Sequence, residues 1–123
     1  MEWKFSGDRP VYQQIMEAVC GSVLKGEWKP GQKIPSVRDL AAQAKVNPNT
    51  MQRALTELER EGLLVGGGTS GRTVTTDEAI LAAMRRDALE KVARECAEKF
   101  MRFGMKPGQA AGLLLALDDE KEE

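Results

Sequence analysis

The stretch from Asn47 to Gly62 constrains the fold more than any other, because it carries its own start, stop and buried face. Asn47 is a strong N-cap type, and Pro48 suits the first helical position, where a missing N–H costs nothing. Gly62 suits the left-handed residue that closes a helix. Between them Met51, Ala54, Leu55 and Leu58 recur at helical spacing, so that side faces a core. At about 100° per residue, Asn49, Gln52, Arg53 and Thr56 gather on the opposite side. They are short polar groups and one guanidinium, unlike the Glu/Lys mixture of an ordinary wet surface. Asn and Gln can pair bidentately with adenine, and Arg with guanine, in the major groove. Polar helical faces are more often merely solvated, so the neighbouring elements have to decide.

Those neighbours point the same way. Ser36 can cap a preceding short helix, with Asp39 three residues on in the reciprocal position of a capping box. Leu40, Ala41 and Ala44 form its apolar side and Arg38 points outward. After Gly62 come Leu-Leu-Val, the Gly66–Gly71 run and Arg-Thr-Val-Thr-Thr, which read as a small β-hairpin with a glycine-rich tip. Such a tip permits close backbone approach to phosphate, with Thr69 and Ser70 as donors beside Gly71 and with Arg72 as the charge. The glycines do not form a nucleotide-binding loop, because neither the required lysine nor a following helix is in place.

This series resembles the winged helix-turn-helix domain of GntR-type bacterial transcription regulators. The resemblance rests on PVYQQI (Pro10 to Ile15), GEWKPGQKIPSVRDLA (Gly26 to Ala41), VNPNTMQRAL (Val46 to Leu55) and EGLL (Glu61 to Leu64), and covers about residues 10–76. NPNT and the short tail are similar to the YtrA-like subgroup often associated with ABC-transporter operons, which lacks a large effector-binding domain. The resemblance implies a DNA-binding repressor. It supports Arg38 and the positions Asn47, Pro48, Asn49, Thr50, Gln52 and Arg53 as contacts, with Thr56 helping to position the helix. The wing departs from the family pattern, which has a basic residue before the glycines and an aromatic after them.

Composition narrows the alternatives. The 123 residues fit one compact domain plus an accessory element, expected as a DNA-binding domain at 1–76 and a helical tail at 77–123. The expected class is mainly α with a small β-hairpin. There is no histidine, which removes histidine-based acid/base chemistry and the commonest metal ligand; no cofactor or metal site is expected, and no enzyme. Cys20 and Cys96 lack a Cys-x-x-Cys spacing and read as buried free thiols. No apolar run approaches the ~20 residues of a membrane span, and residues 1–10 lack a signal-peptide core, so a cytoplasmic location is expected.

The net charge of −1 hides a polarity. Residues 29–56 hold five basic side chains (Lys29, Lys33, Arg38, Lys45, Arg53) against Asp39 alone, a local +4. Residues 77–123 carry 8 basic and 11 acidic residues, a net −3. Phosphate binding needs local positive charge, and the excess sits where the expected contacts are.

At the ends of the chain, Trp3 and Phe5 form an arm that can dock on the body or on a partner. Tyr12, Ile15, Met16, Val19 and Val23 give a first helix a single apolar side, with Cys20 beside it. Trp28 is expected to cover the core edge. From Thr76 or Asp77 a long helix carries Ile80, Leu81, Met84, Ala88, Leu89, Val92, Cys96, Phe100 and Phe103, a stripe too broad for one small neighbour. Gly104 breaks it, and a second helix from Pro107 holds Leu113 to Leu117 before an acidic tail. A 47-residue tail cannot bury that surface alone, so a homodimer through 77–117 on an inverted-repeat operator in double-stranded DNA is expected. The competing arrangement folds these helices back on the winged helix of a monomer. A protein-interaction module without DNA binding would use the same scaffold with apolar or acidic recognition residues, and residues 47–56 contain neither an acid nor a large exposed apolar group. No small-molecule effector is evident; a pocket between subunits is where one would sit.

Overall fold

Buried apolar residues of the first 84 positions meet around the helix Pro48–Glu61, whose Met51, Ala54, Leu55 and Leu58 are at most 1% exposed. The computed structural model describes residues 1–66 and 71–121. In order, these form α1 (Val11–Leu24), α2 (Val37–Ala44), α3 (Pro48–Glu61), β1 (Leu64–Gly66), β2 (Arg72–Val74), α4 (Glu78–Met101) and α5 (Pro107–Lys121). They fall into two compact units, Met1–Met84 and Arg85–Glu123.

In the first unit the expected faces are the buried ones. Ile15, Val19 and Val23 of α1 join Leu40, Ala41 and Ala44 of α2, with Tyr12, Met16, Cys20 and Trp28 packed around them. Ser36 caps α2 by accepting the Asp39 N–H at 3.1 Å, and Asn47 caps α3 by accepting the Asn49 N–H at 2.8 Å. Gly62 closes α3 in the left-handed region. The turn between α2 and α3 holds a feature with no sequence marker: Lys45 is left-handed, at φ 57°, as the C-cap of α2.

The hairpin pairs β1 with β2 antiparallel, Leu64 opposite Val74 and Gly66 opposite Arg72. Leu63, Leu64 and Val74 point into the core. The linker before α2 supplies a third edge that was not expected. Lys33 bridges to Thr73, the Ile34 N–H donates to the Arg72 carbonyl at 3.0 Å, and the Val74 N–H donates to the Gln32 carbonyl at 2.9 Å. The wing root is thereby tied to the segment that leads into α2.

The arm docks on its own chain. Trp3 and Phe5 pack against the core, and the buried Gln14 amide is fully used: it donates to the Ser6 and Arg9 carbonyls at 2.8 and 2.9 Å and accepts the Ser6 N–H at 2.8 Å. The thiols are free and only partly buried, against the expectation of full burial. Burial pushes the Cys20 thiol up, and the nearby Glu61 charge adds to the shift.

Asp77, not Thr76, caps α4, accepting N–H groups of Ala79 and Ile80 at 2.9 and 3.3 Å. Leu81 and Met84 of its first turns pack against the core. The first unit therefore runs eight residues beyond the expected boundary at 76.

The second unit holds the rest of α4, the Gly104 break at φ 78° and α5. The Lys106 N–H donates to the Gln109 side chain at 2.9 Å, capping α5 before Pro107. That helix continues through Asp118, Asp119 and Glu120, which the sequence presented as a polar tail. Its apolar surface is open: Phe103 is 88% exposed and Leu115 67%, and among the described residues of this unit only Ala110 is buried.

Candidate nucleic-acid interface

Because α3 buries one side against α1, α2 and β1, its opposite side has to be outside. Asn47, Pro48, Asn49, Gln52, Arg53 and Thr56 are all exposed, and Thr50 at the margin is half-buried. On α2, Arg38 is exposed as expected; Lys29, Lys33 and Lys45 from the flanking turns are exposed as well. A short helix, a three-residue turn and a second helix thus present a mainly polar and basic surface. Gln52 donates to the Thr56 hydroxyl at 3.1 Å, which orients its amide along the helix and leaves its carbonyl oxygen and a second N–H available.

Each flank of this face is braced by another element. On one side the Arg72 guanidinium is paired with Glu59 of α3. Its side chain is 17% exposed and lies against α3. The pairing has a simple cause. Glu59 lies on the α3 turn beside the wing, and Gly66 in β1 leaves room for it: a Cβ there would stand 3.1 Å from the carboxylate. Lys33 is the basic side chain beside Gly71, its stem lying where a Cβ on that glycine would come within 3.1 Å of Cε. Gly71 is half-buried at φ 87°. Thr69 and Ser70, the other expected wing contacts, lie outside the described residues.

On the other flank, Arg53 sits over the ring of Tyr12 in the first turn of α1, Cζ 3.7 Å from the centroid. Sequence periodicity placed Tyr12 in the core stripe and missed this second role. A tyrosine at the margin of a buried stripe, one helix away from an exposed arginine, gives no sequence signal of the contact.

Among the described residues, no group of three or more His, Cys, Asp or Glu side chains could hold a metal ion. No described helix is long and apolar enough to cross a membrane.

Residues 11–74, from the start of α1 to the end of β2, match the family described as bacterial regulatory proteins, gntR family. The chain is 34% identical to YhcF of Bacillus subtilis, an uncharacterized HTH-type transcriptional regulator, over 83% of this chain and 81% of that one. It is 51% identical to the HTH-type transcriptional repressor YtrA of the same organism over 55 residues, 45% of this chain and 42% of the relative. Among solved structures, a GntR family transcriptional regulator from Listeria monocytogenes superposes with a TM-score of 0.82 at 25% identity, over 91% of this chain and 98% of that one. The DNA-binding domain of AraR in complex with operator ORX1 superposes with a TM-score of 0.57 at 30% identity, over 61% of this chain and 96% of that one.

Proposed function

We propose that this chain, which belongs to the gntR family of bacterial regulatory proteins, is a repressor that binds an inverted-repeat operator as a homodimer. The observation that carries the proposal is the face of α3. Asn49, Gln52, Arg53 and Thr56 stand exposed on a helix whose other side is sealed in the core, so the helix can enter a major groove as a rigid body. Asn49, Gln52 and Arg53 read base edges. Arg38, Asn47, Thr50 and the loop lysines contact phosphate and set the register, with Pro48 and Thr56 shaping the approach. The glycine-rich tip with Thr69, Ser70 and Gly71 approaches the backbone, while Arg72, held by Glu59, braces the wing root. The operator complex formed by the AraR domain and the repressor function named for YtrA support this assignment.

The homodimer is argued from the second unit. The Leu113–Leu117 stretch of α5 is apolar around the whole helix, and such a surface belongs inside an assembly. On α5, Leu113 and Leu117 fall on one side and Leu115 on another, all at least half exposed. A second copy of residues 77–117 is the occupant that every cell making this chain contains, and two-fold pairing sets two α3 helices in a symmetric relation. An effector, if one acts, would enter between these helices.

The test is selection of bound sequences from random duplex DNA with the purified chain, followed by titration of the selected duplex with variants. Gln52→Ala and Arg53→Ala should each weaken specific binding by ~1–3 kcal/mol at unchanged melting temperature. Arg38→Ala should lower the logarithmic salt slope by about one. Full affinity in both the Gln52 and Arg53 variants would mean that another surface reads the DNA.

A further inference from the structure

Two arginines flank the α3 face, and they are held in chemically different ways. Arg72 is gripped by the Glu59 carboxylate, which accepts from its Nε–H. Arg53 lies over an aromatic ring, which engages the face of the guanidinium and leaves the in-plane N–H groups free. We propose that Tyr12 is a positioning residue for DNA recognition: its ring docks Arg53 so that the donor fork points away from the protein, ready for a guanine edge or a phosphate.

An exposed arginine has many rotamers, and binding DNA in one of them loses that freedom. A carboxylate partner would restrict the side chain but occupy the fork that must reach DNA, and would set a negative charge beside the phosphates. A tyrosine face restricts it with neither penalty. The 3.7 Å separation of Cζ from the ring centroid is close enough for stacking. Tyr12 is itself fixed, half-buried against the core in the first turn of α1, with its hydroxyl accepting from the Gln13 amide at 3.3 Å. The hydroxyl takes no part in holding Arg53, so phenylalanine should serve as well. α1 then does more than fill the core: through one ring it sets the aim of a side chain on the helix that faces DNA.

This inference rests on the reading that Arg53 faces DNA, and a double-mutant cycle separates the two. The full chain would be titrated on its selected duplex as wild type, Tyr12→Leu, Tyr12→Phe, Arg53→Ala and Tyr12→Leu/Arg53→Ala. Tyr12→Leu should weaken binding roughly three- to tenfold when Arg53 is present and less than twofold when it is absent, while Tyr12→Phe stays within twofold of wild type. In the free protein, the Arg53 side-chain protons should show an upfield ring-current shift that persists in Tyr12→Phe and disappears in Tyr12→Leu. Loss of affinity by Tyr12→Leu to the same extent in both backgrounds would make Tyr12 a purely structural residue and overturn the proposal. So would wild-type affinity in Tyr12→Leu. If Tyr12→Leu does not fold, Tyr12→Phe still decides: loss of either affinity or the ring-current shift refutes a role for the ring face. If Arg53→Ala itself binds like wild type, the DNA-facing role of Arg53 has failed and takes this inference with it.

Discussion

Replacing Gly62 by alanine tests how the recognition helix is joined to the wing. Gly62 stands at φ 91°, ψ 0°, and its N–H donates to the Glu59 and Leu58 carbonyls. The Leu63 N–H donates to the Leu58 carbonyl at 3.0 Å, so the chain reverses in a Schellman arrangement and drops Leu63 into the core at 0% exposure. An L-residue in the left-handed region costs ~1–2 kcal/mol, and this φ lies beyond the usual left-handed range. A new Cβ would also meet Ile80 Cδ1 at 3.0 Å. That methyl is the far end of a half-buried side chain and can move aside for little. Against these costs, alanine restricts the unfolded chain and returns about 0.4–1 kcal/mol. The net expectation is a loss of about 1 kcal/mol, or roughly 4–8 °C in melting temperature for a unit of this size. Thermal unfolding followed by circular dichroism would measure it, with Gly62→Asn as a control expected to lose less because asparagine tolerates the left-handed region. DNA affinity well below the transition should change little. Gly62→Ala melting at or above the wild-type temperature, or Gly62→Asn melting below Gly62→Ala, would refute the reasoning.

Other perturbations separate core, turn and wing. Leu55→Asp places a carboxylate at a site with 0% exposure and should unfold the first unit, seen as loss of the cooperative thermal transition; a normal transition with lost DNA binding would mean α3 is rotated from its assigned orientation. Lys45→Gly relieves a left-handed non-glycine residue and should leave stability unchanged or raise it by up to about 1 kcal/mol in denaturant titration, while removing one positive charge from the exposed turn. Glu59→Ala and Arg72→Ala should each cost about 0.5–1.5 kcal/mol and be non-additive in a double-mutant cycle, because the pair is only partly shielded from solvent. Additive losses would show that the pair does not hold the wing.

Much of the first unit was legible because its signals are local. Asn47, Pro48, Gly62 and the Met51–Leu58 stripe lie within one helix, and a cap, a stop and a 3.6-residue period need no knowledge of the rest of the chain. The exposed set on α3 followed by elimination from that stripe. What escaped depends on pairing between distant residues. Glu59 and Arg72 are 13 positions apart, and only the packing of β2 beside α3 brings the two side chains together. Tyr12 and Arg53 meet through the α1–α3 packing, which periodicity foresees as burial but not as a ring under a guanidinium. The Lys33–Thr73 bridge involves a single residue in a proline-containing linker, too short for any strand alternation. Capping residues mark where a helix begins, whereas Leu81 and Met84 decide how far the compact unit extends. In α5, strong helix formers such as Leu113 to Leu117 carry the helix on through acidic residues that look like a free tail.

The central claim is that two copies of this chain present paired α3 faces to one duplex. The most direct measurement takes the full chain and a truncation after Met84, the end of the first compact unit, and titrates each on the selected inverted repeat and on a single half-site, with sedimentation of the same samples. The account predicts two full-length chains per duplex and an affinity for the repeat ~10²–10⁴ above that for the half-site, an advantage the monomeric truncation loses. A full-length chain that stays monomeric at micromolar concentration and binds the half-site as tightly as the repeat would contradict it.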